Sequence, residues 1–236
     1  KRDFTNFSLK ISKGLKRPQE KFVHQMIYGI LAGNKVHLSE IARSLKENIT
    51  LKKTIDRLSR NLNMFDDKDS LMHNYLALVK RHVKDDYAVI IIDNSDIAKP
   101  ASKKLEALSE IRDGSTGAIT QGYLTIDAVV LSEKGKMPLP VYEKIFSSAE
   151  EGFISETYEN LCCLESLSKN FTPKCVRTLD RGFDANDYYR YFLKRGERFV
   201  IRAKKNRNVI YNGETRNIMD VALRYKGAYR MDFKDK

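Results

Sequence analysis

The sequence predicts an α/β protein: an all-helical N-terminal quarter, then a mixed-sheet domain of order β-β-β-α-β-α-β. Three observations carry that prediction. Apolar residues recur at helical spacing between Gln19 and Leu62. The β-branched run from Ala88 to Ile92 is short and reads as a buried strand. A strand that ends in an acid, followed by a helix, then recurs near Asp180.

In the helical quarter, Phe22, Val23, Met26, Ile27 and Ile30 form one stripe, and Gly33-Asn34 ends it. Ser39 is placed to cap a short helix with Ile41, Ala42 and Leu45 inward. Thr50 is placed to cap a second, with Leu51, Ile55, Leu58 and Leu62 inward. That leaves Lys52, Lys53, Arg57 and Arg60 on its other faces. Two short helices with a basic second member make a helix-turn-helix-like pattern, although a plain bundle with a solvated basic face has the same signature. The turn lacks a glycine. A polar break, Phe65 to Ser70, precedes a helix from about Leu71 to Val83, and the domain boundary is expected near residue 84.

The first strand runs into Asp93, with Asp96 placed to bond the local turn. Lys99 to Gly117 reads as a loop. Gly122 to Leu131 and Met137 to Phe146 read as an antiparallel hairpin joined by Ser132 to Lys136. A helix follows from about Ser155 to Asn170, with Tyr158, Leu161, Cys162, Leu164 and Leu167 inward. Cys175 to Leu179 is a fourth strand closed by Asp180. Gly182 permits a turn, Asp184 or Asn186 can cap the next helix, and Arg198 to Ala203 is a fifth strand.

Charge narrows the function classes. The chain carries 43 Lys and Arg against 31 Asp and Glu, for a net charge of +12. Residues 1–60 hold 14 of those cations and 5 of the acids. Such a balance favours a polyanionic partner. The start is basic and polar rather than a signal peptide, and no apolar run reaches membrane-spanning length, so a cytoplasmic protein without membrane contact is expected. The absence of an initiating Met leads us to expect a piece of a longer chain. Cys162, Cys163 and Cys175 match no zinc spacing and read as buried thiols.

Two carboxylates at the ends of neighbouring strands can converge, and hard oxygen ligands suit Mg²⁺, the ion of phosphoryl transfer. Paired carboxylates also serve glycosidic hydrolysis, but a basic surface does not suit neutral sugars.

The stretches IIIDNSDIAKP (Ile90 to Pro100), TLDRGFD (Thr178 to Asp184) and FVIRAKKNR (Phe199 to Arg207) resemble the DDE transposases of bacterial insertion sequences, of the insertion sequence four type. The resemblance covers roughly residues 65 to 210. It implies an RNase H-like core at 85–208, a helical DNA-end-binding domain at 1–84 and the start of a β-rich insertion at 209–236. It implies that Asp93 and Asp180 are catalytic and bind Mg²⁺, with Mn²⁺ as a substitute. The third family member, a glutamate in a Y-x2-R-x3-E-x6-K pattern, matches no window here and is expected beyond Lys236.

The expected partner is double-stranded DNA, both element ends and target, held by a homodimer in a bacterial, nucleoid-associated setting. Lys52, Lys53, Arg57, Arg60, Lys99, Lys103, Lys104, Arg181, Arg202, Lys204, Lys205 and Arg207 are the expected DNA contacts. The 236 residues alone are expected to bind DNA without cleaving it. Two other readings stand beside this one: a DNA-binding regulator with a disabled core, and a structure-specific RNase H-like nuclease.

Overall fold

Contacts in the computed structural model divide the chain into two compact units, Lys1–Arg81 and His82–Lys236. The structure describes residues 2–83, 88–131 and 137–225. The boundary expected near residue 84 and the turn expected at 132–136 lie outside the described residues, as do positions 226–236 of the expected insertion.

The first unit is all helical: α1 (Arg2–Ile11), α2 (Arg17–Gly33), α3 (Leu38–Leu45), α4 (Leu51–Asn63) and α5 (Lys68–Val79). Phe22 of α2, Ile41 and Ala42 of α3 and Leu58 of α4 form one buried cluster. Ile11, Leu15 and Val23 form another, covered by Tyr75 and Leu78 of α5. Gly29 lets α2 and α3 approach closely, since a Cβ there would stand 2.4 Å from Ile41 Cγ2. Asn34 ends α2 in the left-handed region, with φ 49°.

Two local expectations change. The residue preceding α3 is His37, whose side chain makes no capping bond, so Ser39 lies inside the first turn. Leu51 and Leu62 are exposed, whereas Thr54 is buried in the same layer as Leu58. A threonine can turn inward there because Glu47 accepts its hydroxyl hydrogen bond. Thr50 does cap α4, accepting the Lys53 N–H at 3.5 Å.

The second unit holds β1 (Val89–Ala98), β2 (Ser109–Arg112), β3 (Ile119–Leu131), β4 (Pro138–Phe146), α6 (Glu156–Asn170), β5 (Val176–Leu179), α7 (Asn186–Arg195) and β6 (Arg198–Ile201). A small hairpin, β7 (Asn208–Tyr211) and β8 (Glu214–Asn217), and a short helix, α8 (Ile218–Ala222), follow. The main sheet runs β2-β3-β1-β5-β6, with β4 also on β3. β1 is antiparallel to β3 and parallel to β5, and β5 is parallel to β6. The β2 strand falls within the stretch expected to be a loop. Gly122 makes room for it, since a Cβ there would meet Ile111 Cδ1 and Ile97 O at 2.4 Å.

Alternation sorts the sheet into two faces. Ile90, Ile92, Ala128 and Val130 are buried on one, while Ile91 is 39% exposed on the other. Helices α6 and α7 lie on the Ile90 side: Phe199, in register with Arg177 and so with Ile90, stacks on Phe192 of α7. α6 is rotated from expectation, with Glu159, Asn160 and Cys163 inward and Tyr158 exposed. Glu159 pairs there with Lys144, and Asn160 donates from Nδ2 to the Tyr188 hydroxyl, while its Oδ1 is buried without a hydrogen bond among the described residues.

Candidate active site

The parallel ladder between β1 and β5 ends at Ile92 opposite Leu179. Asp93 and Asp180 are the residues next after that last pair, on the sheet face opposite Ile92 and its helices. Contrary to expectation, Asp93 does not close its strand, because β1 continues to Ala98 against β3. Only its parallel partner stops there.

Asp180 leaves β5 in extended conformation and opens a 3-10 turn, Arg181–Phe183, by accepting the Gly182 N–H at 2.7 Å. A Cβ on Gly182 would stand 2.9 Å from Asp180 Oδ1, so the glycine allows the carboxylate to fold over the turn. Asp93 accepts the Asn94 N–H at 3.0 Å. Although the residue as a whole is exposed, burial of its carboxyl raises the Asp93 pKa, and the charges of Asp180 and Asp127 add to the rise.

Asp127 was not among the expected residues. It is the cross-strand partner of Asp93 on β3, and the Thr125 hydroxyl holds its Oδ2 at 3.0 Å. Glu143 of β4 pairs with Asp127 in turn. The signal in GYLTIDAVVL was the alternation itself, which sets Asp127 off the core face between Ile126 and Ala128.

Carboxylate oxygens are the donor set of a hard divalent cation, and like charges drawn together are relieved by one. In that chemistry Asp93 and Asp180 fit Mg²⁺. Among the described residues, no group of three or more His, Cys, Asp or Glu side chains is placed to hold a metal ion.

The remaining expected residues divide by what they touch. Arg181 is exposed beside Asp180, and Arg202, Lys204 and Lys205 are exposed after β6. Lys99, Lys103 and Lys104 are exposed beyond the far end of β1. Asp96 bonds no local turn; it accepts the Gly114 N–H at 2.9 Å from the loop before β3. Asp184 caps no helix either, since Ala185 precedes α7. Its buried carboxylate accepts the Tyr189 hydroxyl at 2.8 Å and the Lys204 N–H at 2.5 Å, and pairs with Arg207. Bonding to Asp184 adds to burial in pushing Tyr189 up to about 12. Arg207, expected on DNA, is thus engaged in holding the segment after β6 to the turn after β5, and also stacks over Tyr189.

In the first unit Lys52, Lys53 and Arg60 are exposed on α4. Arg57 is engaged instead, donating to both Glu47 carboxylate oxygens at 2.7 and 2.8 Å and to Gln25 at 2.8 Å. Gln25 Nε2 and the Thr54 hydroxyl also donate to Glu47, each at 3.1 Å. Glu47 therefore joins α2, the turn after α3, and α4. Burial alone would raise its pKa, but the bonds from Arg57, Thr54 and Gln25 lower it overall. A depressed carboxyl pKa stabilises the fold above the unfolded-state value, and that contribution is lost as pH falls through the folded value. The protection factor of the Leu58 amide, its exchange rate taken relative to the intrinsic rate at the same pH, is expected to fall on acidification to pH about 4. Glu47→Gln should reduce that pH dependence.

Neither a known family nor a curated protein matches this sequence. Among the described residues, no helix is long and apolar enough to cross a membrane.

Proposed function

We propose that this chain is the DNA-binding and catalytic part of a transposase that cuts and joins DNA with Mg²⁺, Mn²⁺ substituting. The observation that carries the reading is the register placing Asp93 and Asp180 side by side where the β1–β5 ladder ends. Sheet order adds support: antiparallel neighbours on one side of β1 and parallel ones on the other suit the RNase H-like core that TLDRGFD and IIIDNSDIAKP imply.

Asp93 and Asp180 would hold the metal, which when bound supplies charge stabilisation for phosphodiester cleavage. The chain's own part is geometric. The sheet fixes Asp93, and the Gly182 N–H orients Asp180. Exposed cations at Arg181, Arg202, Lys204 and Lys205 suit a phosphate backbone. Exposed Lys52, Lys53 and Arg60 give α4 the same character in the first unit. Two DNA ends would be held by a homodimer. By the resemblance, Asp93 and Asp180 are two of a set of three carboxylates, and DNA binding is the behaviour expected of the 236 residues.

The DNA reading is tested by the salt dependence of duplex binding. Replacing Lys52, Lys53 and Arg60 together by Ala is expected to weaken binding and to lower the slope of log K against log salt by about 0.9 for each phosphate no longer neutralised. An unchanged slope means that α4 only packs.

A further inference from the structure

The outward face of α4 carries an acid in the middle of its cations. At about 100° per residue, Asp56 and Arg60 lie opposite the buried Leu58. Lys52, Lys53 and Asn63 flank them, and all five are exposed. Lys52 and Lys53 stand four and three positions before Asp56, and Arg60 four after, at the spacing of helical ion pairs. Among the described residues, the Asp56 carboxylate nevertheless forms no ion pair or side-chain hydrogen bond, while Arg57 turns back to Glu47.

Facing a duplex, such a carboxylate is repelled by every phosphate. Non-specific binding therefore gains nothing from it, and the three cations around it would bind better without it. What satisfies a carboxylate in the major groove is a base amino group, above all cytosine N4. The second helix of a helix-turn-helix places its N-terminal part against base edges. The Glu47 clasp, which locks α4 to α2 and to the preceding turn, gives the rigid seat that such readout requires.

We infer that Asp56 is a specificity-determining residue that accepts a hydrogen bond from the amino group of a cytosine in the major groove, with Lys52, Lys53 and Arg60 holding the flanking phosphates. This rests on the DNA-binding reading of α4. Asp56 lowers affinity for most sequences and restores it where a cytosine meets it, so the residue sorts sites rather than tightening binding.

The experiment is parallel selection by the 236-residue chain and its Asp56→Ala variant from a duplex library randomised over about two helical turns. An exposed helical position tolerates alanine, and an unchanged thermal midpoint verifies the fold. The wild type is expected to enrich a motif with a fixed cytosine. Asp56→Ala should lose preference at that position alone, by about 5- to 150-fold, and bind unselected duplex more tightly. The same motif from both proteins overturns the inference. Retention of the library without enrichment by wild type also overturns it, yet leaves DNA binding by α4 standing. No retention at all sinks the DNA-binding reading, and the role of Asp56 with it.

Discussion

Asp93→Asn and Asp180→Asn are each expected to remove Mg²⁺-dependent nicking of duplex DNA by the proposed transposase, a loss of at least about 100-fold. Even partners outside a metal's own ligand shell cost about 10- to 100-fold, and these two residues are proposed as ligands. Asparagine keeps the size of the side chain and an oxygen that can accept the Gly182 N–H, so the turn after β5 survives. The charge is what goes. Asp93 has a raised pKa from burial and from the charges of Asp180 and Asp127. Ionising it therefore costs stability as pH rises above the unfolded-state value, and the neutral variant should unfold at the same temperature or a higher one. Loss of nicking with an unchanged or raised melting point separates a site from a structural pair. Nicking that survives both substitutions would remove these residues from the chemistry.

Arg177→Met is expected to cost about 3–5 kcal/mol of stability in urea unfolding, the usual result of breaking a buried ion pair from one side. The Arg177 side chain is 1% exposed and its Glu197 partner 4%, with Nε 3.4 Å from Oε2. Arg177 also donates from Nη1 to the carbonyls of Thr172 and Cys175, at 2.9 and 2.8 Å. Removing it takes the nearest cation from a buried carboxylate and a donor from the carbonyls of Phe171, Thr172 and Cys175. Arg195 stands 3.7 Å from Glu197 but is 39% exposed, and offers poor compensation. The double variant Arg177→Met, Glu197→Leu removes both charges and should recover much of the loss. A small effect of the single change would mean that the pair contributes little to the sheet.

What the sequence made legible was local. The run ending at Asp93 and the turn beginning at Asp180 announce themselves by β-branched residues and a glycine, so both candidate acids could be named. Their neighbour Asp127 could not, because its place beside Asp93 depends on the register of β3 on β1. The same limit hid Asp184, which precedes α7 as a cap would, while its partners Lys204 and Arg207 lie far along the chain. Burial inverted some choices: Thr54 replaced Leu51 and Leu62 inside α4 because Glu47 was there to bond it. Helix α1 was hidden by the charged, polar character of the first residues, though Phe4, Phe7 and Ile11 carry its spacing. The β7–β8 hairpin had a local signal in Asn212-Gly213, the dipeptide that supplies two positive φ values, 51° and 82°.

The central claim is that Asp93 and Asp180 jointly hold a divalent metal. Titrating the 236-residue chain with Mn²⁺, followed by electron paramagnetic resonance of the free ion, measures that without reliance on cleavage. Binding is expected in the unaltered chain and at least about tenfold weaker after either Asp93→Asn or Asp180→Asn. Equal binding by all three proteins, or none by the unaltered chain, would contradict the claim.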